Sequence, residues 1–143
     1  MKISTKGRYA LRVLIDLAEQ GNGRFFPLKE IAERQEIYQK YLESIIKEYA
    51  RHGYVIGHRG KGGGYKLDKD PDTITVKDAL QMVEGDLAPV SCLATDENTC
   101  PRAAECKTLP MWEKLYKMTN DYFSGITIAD LLQQGNAADM YFI

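Results

Sequence analysis

Residues 28–67, LKEIAERQEIYQKYLESIIKEYARHGYVIGHRGKGGGYKL, constrain the fold more than any other stretch. Leu28, Ile31 and Ala32 share one face of a short helix that Pro27 introduces. Tyr41, Leu42, Ile45, Ile46 and Tyr49 recur at three- and four-residue spacing, which predicts a second helix with one buried side. The joint, residues 35–38, has room for a tight turn only, so the pair forms a helix-turn-helix whose second helix suits a DNA major groove. Gly53 stops that helix, and residues 54–58 and 65–67 read as short strands. Arg59-Gly60-Lys61-Gly62-Gly63-Gly64 between them is a tight hairpin tip with two cations, the build of a DNA-contacting wing. The glycines do not form a phosphate cradle. A nucleotide loop needs glycine where Val55 stands and Ser or Thr where Gly62 stands, and a dinucleotide loop needs glycine in place of Tyr65. A helix-turn-helix with a hairpin also serves in modules that bind protein alone, and such a module would show no salt-dependent DNA binding.

Charge supports the nucleic-acid reading. The net charge of -1 hides a split: residues 1–70 hold 14 Lys/Arg against 9 Asp/Glu, and residues 71–143 hold 5 against 11. The basic half contains the helix-turn-helix and wing, as phosphate attraction requires. At 143 residues the chain builds one core with an appended segment. It has no signal peptide and no apolar run near the roughly twenty residues of a membrane span, so a cytoplasmic protein without a membrane partner is expected.

Ahead of this stretch, residues 5–19 form a first helix with Tyr9, Ala10, Val13, Leu14 and Leu17 inward and Ser4 or Thr5 as cap. It packs beneath the helix-turn-helix, and Lys2, Lys6 and Arg8 at its start are placed for phosphates if that end faces DNA. Residues 21–23 are a loop. Residues 73–83 predict a further helix, starting at Thr75 with Val76, Ala79, Leu80 and Val83 inward and ended by Gly85. Residues 85–108 lack helical period except over 101–105, an unusual loop length that points to function. Residues 109–123, with Pro110 at the start, form a long helix whose stripe of Trp112, Leu115, Tyr116, Thr119, Tyr122 and Phe123, extended by Met111 and Met118, exceeds what one small domain covers. It is therefore read as a dimerisation helix, the alternative being a core helix. Residues 127–134 form a last short helix, before a tail over 135–143.

The expected fold is mainly α with a small β-hairpin wing: a winged helix-turn-helix domain (1–70), a linking helix and cysteine loop (71–108), and a long dimerisation helix with a C-terminal tail (109–143). Cys92, Cys100 and Cys106 all lie in the long loop. An odd number without secretory features argues against a disulfide framework and for metal binding or thiol chemistry. Thiolates ligate iron–sulfur clusters and zinc, and the loop lacks the close C-x2-C pairing of structural zinc sites. An enzyme with a Cys–His nucleophile is disfavoured, because His52 and His58 fall in the other half with no acidic partner to orient them.

On DNA, Lys40, Tyr41, Glu43, Ser44 and Lys47 begin the recognition helix on its outer side. Lys40 suits guanine edges, Glu43 accepts from cytosine, Ser44 is permissive, and Tyr41 is as readily a packing residue. Arg59 and Lys61 supply the wing.

The segments MKISTKGRYALRVLIDLA, LKEIAERQ-x5-YLE and GHRGKGGGYKL, with a later helix ending VEG, closely resemble the Rrf-type winged-helix transcription regulators over nearly the whole chain. The resemblance implies a homodimer crossed by a long helix, binding palindromic operators as a repressor or related regulator. In that family Arg59 corresponds to an arginine that enters the minor groove, where A·T-rich DNA attracts guanidinium. Tyr38 and Lys40 stand where serine and a small residue are usual. Three cysteines between the VEG helix and the long helix mark the IscR-like and NsrR-like members, and imply an iron–sulfur cluster on Cys92, Cys100 and Cys106, 2Fe–2S ahead of 4Fe–4S. Seven residues separate the first pair here, where five is common. The family's fourth ligands do not carry over, since Leu109 and Arg8 occupy those positions. Glu105, Glu97, Asp96, a free thiol and water are the alternatives. The resemblance thus implies a regulator sensing cluster status through oxygen, nitric oxide or iron. The alternative is a thiol- or partner-controlled regulator of cysteine metabolism, like the cluster-free CymR-like members.

Overall fold

In a computed structural model, residues 2–21 and 23–134 are described. Asn22, within the predicted loop, and the predicted tail over 135–143 lie outside them. Among the described residues the helices are α1 (Thr5–Gln20), α2 (Leu28–Gln35), α3 (Gln39–Arg51), α4 (Val76–Glu84), α5 (Leu109–Ser124) and α6 (Ile128–Gln134), and the strands are β1 (Val55–His58) and β2 (Gly64–Leu67). The architecture is the mainly helical winged helix-turn-helix that the sequence predicts.

Local chemistry sets most of the boundaries. Ser4 is extended, and its hydroxyl accepts from the Gly7 N–H to cap α1. Glu36 closes α2 in the left-handed region at φ 54°, with its N–H turned back onto Ala32 and Glu33 carbonyls. A non-glycine residue there costs about 1 kcal/mol, and burial of the next residue, Ile37, holds it. The predicted first strand starts one residue late, because the Tyr54 N–H donates to the Tyr49 carbonyl at 2.9 Å and finishes α3, while the Tyr54 carbonyl accepts the Asp68 N–H at 2.9 Å at the base of the wing. The helix predicted over 73–83 begins at Val76. Pro71–Thr73 is a separate 3-10 turn under the Asp70 side chain, and Thr75 caps α4 by accepting from the Asp78 N–H. Further 3-10 turns form at Ser91–Leu93 and Ala103–Glu105, the second replacing the helical period read over 101–105.

The core lies where α1, α2 and α3 meet. Ala10, Val13 and Leu14 of α1, Ile31 of α2, and Leu42, Ile45, Ile46 and Tyr49 of α3 are fully buried. The same core takes Ile74, Ala79 of α4 and Ile128 of α6. Reciprocal bonds fix this closure: Val76 N–H to Ile126 carbonyl at 2.8 Å, and Ile128 N–H to Ile74 carbonyl at 2.9 Å. A smaller cluster of Val76, Leu80 and Leu87 receives Phe123 from α5.

The wing is an antiparallel hairpin pairing Val55 with Leu67 and His58 with Gly64. Phe26 bridges Tyr65 on the other side, with two N–H···O bonds of 2.8 Å, so β2 is held from both edges. Gly64, at φ 144°, permits that approach, since a Cβ there would overlap the Phe26 carbonyl.

One charged side chain sits in the interior. Asp16 is 1% exposed and accepts from Arg34 at 2.7 and 2.9 Å and from Gln35 at 2.9 Å. α5 is the opposite case: it has no buried residue. Trp112, Leu115, Tyr116 and Phe123 are half-buried, while Met111, Met118 and Tyr122 are 54%, 58% and 67% exposed. Among the described residues no helix is long and apolar enough to cross a membrane.

Candidate nucleic-acid interface and cysteine loop

The candidate recognition surface is built by burying the opposite side of α3. With Leu42, Ile45, Ile46 and Tyr49 in the core, Lys40, Glu43 and Lys47 point outward and are exposed. Glu43 pairs with Lys47 at 3.8 Å, one helical turn on. At this exposure such a pair is worth little and opens readily onto a base or phosphate. The Ser44 hydroxyl donates back to the Tyr41 carbonyl at 2.7 Å, which leaves it an acceptor toward solvent. Tyr41 is half-buried, its ring edge-on to Tyr9 of α1 at 5.9 Å. It therefore joins α1 to α3 and leaves only its margin to solvent.

Tyr38 is the residue that pattern reading passed over. It stands at the N-cap of α3 and is 80% exposed, while its carbonyl accepts the Leu42 N–H at 2.9 Å. Ile37 is pinned in the core just before it. The backbone is thus fixed and the ring projects into solvent at the N-terminal end of α3.

Arg59 and Lys61 are exposed at the wing tip, and neither makes an ion pair among the described residues. The tip turns on the Gly63 N–H bond to the Gly60 carbonyl at 3.0 Å, with Gly60 and Gly62 at φ 97° and 76°. At the start of α1, Lys2 and Arg8 are exposed and Lys6 is half-buried.

The cysteine loop joins α4 to α5. Leu87 anchors its first turn, 3% exposed in the smaller cluster. Cys92 and Cys106 are half-buried and Cys100 is exposed, all as free thiols. Cys100 and Cys106 line one shallow cleft together with Arg102, Glu105, Lys107 and Thr108. Cys92 is outside it. Among the described residues, no three His, Cys, Asp or Glu side chains are gathered as a metal site. Cys106 nevertheless has a thiolate-favouring setting just before α5. The Thr108 hydroxyl, 3.3 Å from its sulfur, together with the Thr108 backbone N–H and, less strongly, the Leu109 N–H and Arg102, holds its pKa below the ordinary thiol value against the opposing effect of burial. The start of a helix thus aims N–H groups at a sulfur.

Three comparisons with known proteins bear on this arrangement. Residues 3–134 match the profile of Rrf2, described as an iron-dependent transcriptional regulator. Protein rrf2 of Nitratidesulfovibrio vulgaris is 36% identical over 137 residues, spanning 95% of this chain and 90% of that protein. The solved structure of T. potens IscR superposes with a TM-score of 0.75 at 34% identity, covering 94% of this chain and 88% of that one. CymR, the global cysteine regulator of B. subtilis, superposes with a TM-score of 0.74 at 32% identity, covering 93% and 97%.

Proposed function

Because this chain belongs to the Rrf2 family of transcriptional regulators, DNA-binding proteins rather than enzymes, we propose that it is a homodimeric regulator of palindromic operators controlled through its cysteine loop. On this reading residues 1–70 read DNA, 71–108 carry the sensing loop, and 109–143 hold the dimerisation helix and the tail. Lys40, Glu43, Ser44 and Lys47 of α3 face the major groove with the margin of Tyr41, Arg59 enters the minor groove, and Lys61 meets phosphate. The dimer rests on α5, a 16-residue helix without a buried residue whose apolar side chains on two faces exceed what α4 covers. A second copy of the same helix is the self-complementary occupant for such a face.

The observation that carries the control mechanism is three thiols on the one loop that joins the DNA-reading part to α5. Their chemistry fits an iron–sulfur cluster, of 2Fe–2S type on the family resemblance: soft sulfur donors, one of them thiolate-favoured at Cys106. Cys92, Cys100 and Cys106 would hold it, and closing the loop onto it would draw Cys92 toward the cleft that the other two line. A bound cluster supplies reactivity toward oxygen, nitric oxide or iron supply. The chain's part is to convert loop order into the placement of α4 and α5, at the loop's two ends.

A second reading has its own support. IscR and CymR structures match equally well, and three ungathered thiols with Cys106 activated also suit direct thiol oxidation. Anaerobic purification followed by iron, sulfide and visible-absorption measurement separates the two. Cluster control predicts stoichiometric iron and sulfide, and an operator affinity that changes on cluster removal in wild type but not in the triple Cys→Ala protein. A colourless protein whose affinity shifts with thiol oxidation alone belongs to the second reading. A triple variant that responds as wild type does removes the loop as sensor.

A further inference from the structure

Two carboxylates flank Gly85 and hold different parts of the molecule. Glu84, the last residue of α4, turns its Oε1 to the start of α1, where it accepts from the Ser4 N–H at 2.9 Å and the Ser4 hydroxyl at 2.5 Å. The same hydroxyl caps α1 through the Gly7 N–H at 3.1 Å, so the carboxylate lies at the positive end of the helix dipole. Gly7 independently marks this contact. It is buried inside α1, and a Cβ there would overlap the carboxylate, 3.0 Å from its Cδ and 3.2 Å from its Cγ. Glycine weakens a helix interior, and here it leaves the room that the Glu84 carboxylate occupies, which a Cβ would push aside.

Asp86 faces the other way. The Tyr116 hydroxyl of α5 donates to both of its carboxylate oxygens at 3.0 Å, and the Ala88 N–H donates to one of them at 2.5 Å. Between the two acids Gly85 turns at φ 80°, with open space where a Cβ would be, so backbone conformation rather than crowding calls for glycine.

What Glu84 grips moves with the recognition helix. α1 is joined to α3 by the Tyr9–Tyr41 edge contact, to the turn by Arg12, which donates to the Gln35 carbonyl and side chain, and to α2 by the Asp16–Arg34 pair at 2.7 Å. The start of α1, the helix-turn-helix and Tyr41 therefore form one body, to which α5 is fixed at its C-terminal end, where Phe123 packs on the Val76, Leu80 and Leu87 cluster and the Ile126 carbonyl accepts the Val76 N–H, and is tied again midway along by the Tyr116–Asp86 bond.

We propose that Glu84, Gly85 and Asp86 form a latch that fixes the tilt of the DNA-reading body against α5, and thereby sets the half-site separation the protein accepts. Glu84, Asp86 and Tyr116 are positioning residues for operator spacing and touch no base. The inference rests on the dimeric reading above. In a twofold dimer built on α5, the angle between α5 and this body becomes the distance between two recognition helices. One base pair more or less between half-sites shifts one head by about 3.4 Å and rotates it by roughly a tenth of a turn.

The test uses the full-length protein and a selected operator whose central spacer is lengthened or shortened by one base pair, with affinity measured for each. Wild type should lose about tenfold at either altered spacing, because the second head then engages poorly. Tyr116→Phe, which deletes a single hydroxyl, and Glu84→Ala should flatten that penalty to within about threefold. Glu84→Gln, which keeps the acceptor for Ser4, should retain the wild-type profile. A purely structural role would weaken binding by the same factor at every spacing, and profiles of wild-type shape in Tyr116→Phe and Glu84→Ala overturn the latch. Should Glu84→Ala fail to fold, Tyr116→Phe carries the test. A steep wild-type profile that survives both variants removes the latch alone, whereas a flat wild-type profile, with a monomer in sedimentation, removes the dimeric reading and the latch with it.

Discussion

Cys106 is set apart from the other two cysteines by the groups around its sulfur. Its pKa is lowered chiefly by the Thr108 hydroxyl, so its thiolate persists to lower pH than an ordinary thiol. In reduced, metal-free protein with Cys92 and Cys100 replaced by alanine, the pH midpoint of iodoacetamide alkylation should fall below that of a free cysteine, and Thr108→Val should raise it. An unchanged midpoint in Thr108→Val would show the hydroxyl to be a bystander. Asp16 was not legible in the sequence. It carries a charge beside an apolar stripe, and its partner Arg34 is 18 residues away in a different helix. Asp16→Ala leaves Arg34 and Gln35 without their acceptor. Because Arg34 is 27% exposed and keeps Glu30 at 2.8 Å, the expected loss is about 2 kcal/mol, below that of a fully buried pair. Urea denaturation reads it directly, and a loss under half that size would make the pair decorative. Tyr38 was named in the sequence as a departure from its family but given no role, because no residue nearby reveals which way an N-cap side chain projects. Tyr38→Ser should alter base preference at one position per half-site in a randomised-operator selection, by roughly fivefold or about 1 kcal/mol. Superimposable preferences for the two proteins would relegate the ring to surface.

At the scale of elements, the helices with strong period and a capping residue were legible almost to the residue. Ser4 and Thr75 each accept the N–H three positions on, as their placement before an apolar run implies. The errors fall where a backbone group changes partner. Tyr54 divides its backbone, giving its N–H to α3 and its carbonyl to the base of the wing. Phe26 joins β2 from a stretch with no strand pattern of its own. The cysteines were legible as a set, but their distribution around the cleft was not, since loop geometry leaves no periodic trace. α5 shows how an element is understood by what it fails to bury. A helix with Met118 and Tyr122 outward is costly in water unless something covers it. Met118→Asp or Tyr122→Asp should therefore yield a folded monomer, because a carboxylate forced into an apolar contact outweighs a modest interface. Sedimentation equilibrium checks the mass and circular dichroism the fold. An intact dimer in both variants would move the interface off this face.

Over the whole molecule, the charge split places 14 cations in residues 1–70 while the acidic balance sits beyond. Binding should weaken steeply with salt, and Lys61→Ala should reduce the slope of log affinity against log salt by about 0.9, one phosphate contact. An unaltered slope would take Lys61 off the DNA. The molecule also closes on itself late in sequence. Ile128, fully buried, completes a core whose other walls come from α1, α2 and α3, and its backbone is bonded to Ile74. During synthesis, then, the helix-turn-helix leaves the ribosome long before the side chain that finishes its interior. A nascent chain carries every base-reading residue and still lacks the packing that orders them. Messages broken ahead of that codon should yield fragments for proteases rather than dominant-negative fragments occupying DNA.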